Sequence, residues 1–195
     1  MLCRLFMFIL ISNQIISILF IFLLDTEYRM KIKFPLRYLP NNLSKKDKQK
    51  QIRMLVTSKR LYKKGRYFTR KRVSSFHSKP SNHISEAKKI YGVNTVVPGK
   101  ELSLKTGCSV DALNQIVRKG EGAYFSSGSR PNQTAQSWGY ARLASSITAG
   151  KSAAVDFNIL EKGCDHKKKA FMLAKKSKRK YKYGHSHTRR VSVIR

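Results

Sequence analysis

Charge decides where this chain can build a core. Its 41 Lys and Arg face only 10 Asp and Glu, a formal net charge of +31, and the excess is unevenly placed. Residues 30–80 hold 17 basic residues and one acid, Asp47; residues 162–195 hold 13 basic residues and one acid, Asp165. Residues 81–161 hold nine basic and six acidic residues. Arms of that charge density repel themselves until a polyanion neutralises them. A packed core is therefore expected from the near-neutral centre, and a polyanionic partner from the arms. Nucleic acid, DNA before RNA, is the first expectation; acidic capsid protein surfaces or anionic lipid headgroups are the alternatives. At 195 residues there is room for one domain plus tails.

Leu5–Leu24, LFMFILISNQIISILFIFLL, carries no charge over a length that suffices to cross about 30 Å of hydrocarbon as a helix. The larger basic load follows it, so the rest of the chain would stay cytoplasmic if the segment is an anchor. A competing reading places the start at Met30, where Met-Lys-Ile-Lys-Phe opens the basic region. Cys3, Cys108 and Cys164 are odd in number, with Cys3 at the edge of the apolar segment. They read as free thiols in a reduced compartment, with Cys164 buried and inert.

In the first arm, Ser44 and Asp47 resemble a capping box, and Ile52, Leu55, Val56, Leu61 and Tyr62 recur at three- and four-residue spacings before Gly65. That pattern predicts a helix near 45–64. Candidate phosphate ligands here are Lys59, Arg60, Lys63, Lys64, Arg66, Arg70, Lys71 and Arg72. Tyr67, Phe68 and Phe76 are interleaved with them. They are expected to tuck onto the core, the alternative being rings that stack on bases. Ser85 is expected to cap a short helix ended by Gly92.

In the centre, a short helix should end at Gly107 and Ser109 should cap the next, with Asp111 in its first turn. This outline is shared by helix-turn-helix readers and by hairpins that merely pack; Asn114, Gln115 and Arg118 are the polar residues that would face bases. Gly120–Pro131, GEGAYFSSGSRP, reads as a loop pinned by Tyr124 and Phe125, with Arg130 a further candidate cation. Thr134 should cap a helix running towards Gly150, with Tyr124, Trp138, Tyr140, Leu143 and Ile147 as core anchors. Residues 153–162 read as a further helix closed by Gly163.

The run GAYFSSGSRPNQT, SWGYARLASSITAGK and ILEKGC resembles a domain-of-unknown-function family of large DNA viruses of algae and protists, phycodnavirus- and mimivirus-like, with distant phage relatives. The resemblance spans roughly residues 67–175. It implies a viral origin and no activity. Members of that family begin near the position of Met30, so the hydrophobic extension departs from the pattern.

Catalysis finds no constellation. Glu86, Glu101, Asp111, Glu121, Asp156 and Glu161 are dispersed, and Cys164-Asp165-His166 lacks the second ligand pair of a zinc site. Gly150-Lys151-Ser152 is not a phosphate loop, because Ser145 stands where a glycine is required and a helix precedes it. No enzyme, metal or cofactor is expected. Asp165 should cap a C-terminal helix whose tail, from Ser177, is expected to be disordered without a partner. It supplies Lys178, Arg179, Lys180, Arg189 and Arg190 as the remaining candidates.

The expected fold is mainly α, a small domain of short helices with basic, partly disordered arms and an N-terminal hydrophobic helix. Its parts are a hydrophobic segment (1–29), a basic arm (30–84), a helical core (85–164) and a basic C-terminal helix and tail (165–195). The expected function is a non-enzymatic viral protein of the virion that binds nucleic acid through phosphates. The alternative is a minor capsid protein bridging to an internal viral membrane through residues 5–24.

Overall fold

The computed structural model of the protein describes residues 31–182 and 188–194. The hydrophobic segment 5–24 lies outside them; among the described residues no helix is long and apolar enough to cross a membrane. The described residues are mainly helical and fall into two units, one holding residues 31–35 and 190–194 and one holding residues 36–182 with 188–189. In the first, β1 (Lys31–Pro35) pairs antiparallel with β2 (Arg190–Ile194), Lys33 opposite Ser192. The second holds eight helices among the described residues: α1 (Lys45–Tyr62), α2 (Asn82–Tyr91), α3 (Lys100–Thr106), α4 (Val110–Ser126), α5 (Ala135–Ile147), α6 (Lys151–Val155), α7 (Phe157–Gly163) and α8 (Lys169–Tyr181).

Several helices start and stop where side chains satisfy their orphan backbone groups. Ser44 Oγ accepts the Asp47 N–H (3.2 Å) and Ser109 Oγ accepts the Ala112 N–H (3.2 Å). Thr134 and Ser137 form a reciprocal capping box, each hydroxyl accepting the other's N–H at 3.0 Å. At the end of α1, Gly65 sits at φ 69°; the Arg66 N–H donates to Leu61 O and the Gly65 N–H to Tyr62 O. That closure is a Schellman turn, which favours glycine for its left-handed residue. Asp47 does not complete a box with Ser44. Its carboxylate accepts the Ser75 N–H (2.8 Å) and the Ser74 hydroxyl (3.2 Å), and the Ser75 backbone bond is the main cause that holds its pKa below the usual carboxylate value.

The core is the crossing of α4 and α5. Leu113, Ile116, Leu143 and Ile147 are fully buried there, each side chain stabilising the fold by roughly 1.5–3 kcal/mol relative to exposure. Here the expected loop at 120–131 is corrected: α4 runs on through Gly120 and Gly122 to Ser126. Gly120 is a packing glycine, since a Cβ there would stand 2.7 Å from the Gly139 Cα of α5. A Cβ at Gly139 would likewise stand 2.9 Å from the Val117 carbonyl oxygen. Only residues 127–134 connect the two helices, and Gly128 takes φ 98° within them.

Around this pair, α1 and α3 pack on α4, α2 on α5, and α8 on α5, α6 and α7. A smaller cluster of Leu43, Met54 and Val73 receives Phe68 and Phe76. Five further expectations are corrected. The helix expected from Ser85 begins at Asn82, with Ser81 at its cap position. The helix expected at 153–162 is two, α6 and α7, meeting at buried Asp156. The last helix has Lys168, not Asp165, at its N-cap; Asp165 instead accepts the Lys167 N–H at 2.9 Å. Its ordered turns extend to Tyr181, because Ser177 is buried and donates to Gly150 O at 2.7 Å, and residues 190–194 form a strand. Finally, Cys108 and Cys164 are joined in a disulfide (S–S 2.05 Å). Backbone bonds flank it, from the Ser109 N–H to Gly163 O (2.7 Å) and from the Asp165 N–H to Gly107 O (2.8 Å).

Candidate nucleic-acid interface

The Schellman turn at Gly65 sends the chain back past α4 as an extended segment. Side chains of other elements anchor it: Tyr124 Oη accepts the Arg70 N–H (3.1 Å), and the Asn132 amide bonds Val73 N, Val73 O and Phe76 O. Asn132 takes φ 58°, a conformation asparagine tolerates. These anchors fix which side chains of 66–73 turn outward. Arg66, Tyr67, Thr69, Lys71 and Arg72 are exposed, whereas Arg70 and Val73 are buried.

Tyr67 does not tuck onto the core. It is 71% exposed, while Phe68 and Phe76 pack inward as expected. The Tyr67 ring centroid lies 6.2 Å from that of Tyr62, on the last turn of α1, and 4.9 Å from that of Phe125, at the end of α4. Phe125 meets fully buried Tyr124 edge-on at 4.9 Å. A ledge of rings thus descends from solvent into the core. Tyr62 reaches the ledge past Gly122, where a Cβ would stand 3.7 Å from its hydroxyl.

Lys59, Arg60, Lys63, Lys64 and Arg66 are all exposed and neighbour Tyr62 and Tyr67 in sequence, and among the described residues none of the five makes an ion pair with a carboxylate. Lys71 and Arg72 continue the exposed cations.

Arg70 is corrected from phosphate ligand to core residue. Only 8% of it is exposed; its guanidinium lies 3.6 Å from the Tyr124 ring centroid and donates to Ser58 Oγ (3.0 Å), Tyr124 O (2.9 Å) and Ser129 Oγ (2.7 Å). Burial draws its pKa below the usual arginine value, and the ring face and three oxygens hold the cation without an acid.

The other candidates lie outside the run 59–72 in sequence. Arg118 is exposed and pairs with Asp111 at 3.9 Å, and Gln115 donates to the same carboxylate at 2.6 Å. That acid stands on the helix face expected to read bases, where it would repel phosphate. Arg130 is exposed in the α4–α5 connection. On α8, Lys178 lies over the Phe157 ring at 3.9 Å, Lys180 lies over Tyr181 at 5.3 Å, and Arg179 is exposed. Arg189 and Arg190 are exposed, Arg190 on β2. Of the expected core anchors, Tyr124, Leu143 and Ile147 are fully buried. Trp138 and Tyr140 are half-buried, Trp138 edge-on to Tyr38 at 6.0 Å.

The motif Cys164-Asp165-His166 is spent on structure: the thiol is in the disulfide, and His166 stacks on Phe171 at 4.0 Å. Two groupings escaped the sequence reading. Tyr62 and Phe125 join the ledge only through folding. Arg142 holds buried Asp156 by two bonds of 2.7 Å, with Lys119 at 2.8 Å, where the sequence showed dispersed charges.

A family model matches residues 35–170, from the last residue of β1 to the start of α8. The chain belongs to that family, the Family of unknown function (DUF5824). The matched span includes the whole ring ledge, its cations and the disulfide, and excludes Lys178, Arg179, Lys180, Arg189 and Arg190. No curated protein and no solved structure matches the chain.

Proposed function

We propose that this protein is a non-enzymatic, virion-associated component of viral origin that binds nucleic acid through phosphate contacts. The observation that carries the reading is the exposed set Lys59, Arg60, Lys63, Lys64 and Arg66, which no carboxylate neutralises among the described residues. Unpaired cations on an ordered surface attract a polyanion and release its counterions on contact. Phosphate contacts position a protein without specifying sequence. The cystine supports a final location outside the reducing cytosol, a condition a virion meets.

Neutralising about eight phosphates gives a slope near −7 for the logarithm of the binding constant against that of salt concentration. Titration of a labelled oligonucleotide at several salt concentrations measures it, and a binding constant indifferent to salt overturns the proposal. The uncharged stretch Leu5–Leu24 favours the second reading, a minor capsid protein bridging to an internal membrane. Fractionation of detergent-extracted virions separates the two: the first places the protein with the genome, the second with the membrane and capsid.

A further inference from the structure

We infer that the ledge of Tyr62, Tyr67 and Phe125 is a base-stacking platform, so that the strand bound at this surface is single-stranded. The inference rests on the nucleic-acid reading of the same surface and narrows it to one class of ligand. Exposed aromatic residues are ordinary when scattered singly. Here Tyr67 presents most of its surface to solvent at 71% exposure while two further rings lie against it at 6.2 and 4.9 Å. The Tyr67 backbone is held as well, between the closed turn at Gly65 and the anchored N–H of Arg70. The ring is therefore presented in a set orientation, and little side-chain entropy is lost when a base covers it.

The surroundings select the ligand. An acidic protein partner would use the cations but offers no particular match to three adjacent rings. A duplex would meet the cations with its phosphates, yet its bases are already stacked inside the helix and leave the ring faces uncovered. An unpaired strand supplies both groups in alternation, phosphates for Lys59, Arg60, Lys63, Lys64 and Arg66 and base faces for the rings. The rings are inclined to one another, by 59° between Tyr62 and Tyr67 and by 60° between Tyr67 and Phe125. Separate bases splayed from a flexible backbone fit such faces better than a continuous stack does. Every base has a π-face, so recognition of this kind tolerates any sequence.

The test uses the full-length protein and anisotropy titrations with labelled oligo-dT, oligo-U and a duplex of equal length, all at the same salt. Tyr67→Ala is expected to weaken binding to the single-stranded probes roughly 5- to 150-fold, the range for one base–ring stack. It should leave duplex affinity and the salt slope unchanged. Tyr67→Phe keeps the ring and should restore single-strand affinity, whereas Lys63→Ala with Lys64→Ala should weaken all probes alike. Tyr67, Lys63 and Lys64 are all exposed, so each change is made at the surface, and far-UV circular dichroism of each variant confirms that it folds. If Tyr67→Ala weakens single strand and duplex equally, or neither, while the salt slope persists, the stacking platform is overturned and the phosphate reading stands. If no probe binds in a salt-dependent way, the phosphate reading itself fails.

Discussion

Gly120 and Gly122 lie two residues apart in α4, and their surroundings give them opposite expectations. A methyl group at Gly120 would meet the Gly139 Cα at 2.7 Å and two carbons of Arg142 at 3.3 Å. Backbone cannot yield as a side-chain tip can, so Gly120→Ala must part α4 from α5, at a cost of about 1–3 kcal/mol for an overpacked core. At Gly122 the methyl would meet only the Tyr62 hydroxyl at 3.7 Å, an ordinary contact. Gly122→Ala should therefore stabilise the helix by about 0.5–1 kcal/mol, through the conformational freedom that glycine loses on folding. Urea midpoints of the two variants would check the pair; equal shifts would show that the α4–α5 crossing is not close-packed at Gly120. Arg70 shows the same dependence on surroundings. In a run of Arg and Lys it carries no mark that distinguishes it, and only the Tyr124 ring and the hydroxyls of Ser58 and Ser129, 12 to 59 residues away, make it a core residue.

At the scale of elements, Asp156 joins four of them. It sits at the α6–α7 junction, fully buried, and takes Arg142 from α5 and Lys119 from α4. The Arg142 side chain is 18% exposed, whereas that of Lys119 is 43% exposed and is already well solvated. Removing the carboxylate leaves a largely enclosed guanidinium unpaired, so Asp156→Ala should cost about 3 kcal/mol. Lys119→Ala removes a partly solvated partner and should cost no more than about 1 kcal/mol. Denaturation of both variants tests the order, and a larger loss for Lys119→Ala would contradict it. Such long-range pairs were illegible in sequence, while helix ends were not. Ser44, Ser109, Thr134, Gly65 and Gly107 act within a few residues of their own helices, so local spacing reveals them. The continuation of α4 was missed because Gly120 reads as a loop former until Gly139 is known to face it. The β1–β2 ribbon was missed because Lys31–Pro35 pairs with Arg190–Ile194 across nearly the whole chain. The candidate interface divides in the same way: its cations are contiguous and visible, whereas Tyr62, Tyr67 and Phe125 become one surface only when α1 and α4 pack.

For the molecule as a whole, the disulfide determines which part of this strongly cationic chain is constrained before any partner arrives. Cys108 and Cys164 are 56 residues apart and enclose the whole of α4, α5, α6 and α7, the helices built from the near-neutral centre. The ring ledge draws Phe125 from inside that loop and Tyr62 and Tyr67 from outside it. Closing a loop of this length removes chain entropy from the unfolded state equivalent to about 4 kcal/mol. That is a large share of the roughly 5–15 kcal/mol typical of a domain. Reduction should therefore lower the denaturant midpoint of the full-length protein substantially. Cys108→Ala combined with Cys164→Ala should show a comparable loss and no further response to reductant. Non-reducing peptide mapping should recover the two cysteines in one linked pair. A wild-type midpoint indifferent to reductant would contradict the bond's stabilising role. The two backbone bonds that flank the cystine, Ser109 to Gly163 and Asp165 to Gly107, should persist after mild reduction if the bridge only secures a junction already formed by packing. Hydrogen exchange at the Ser109 and Asp165 amides, with and without reductant under native conditions, distinguishes that case from one in which the cystine itself holds the junction closed.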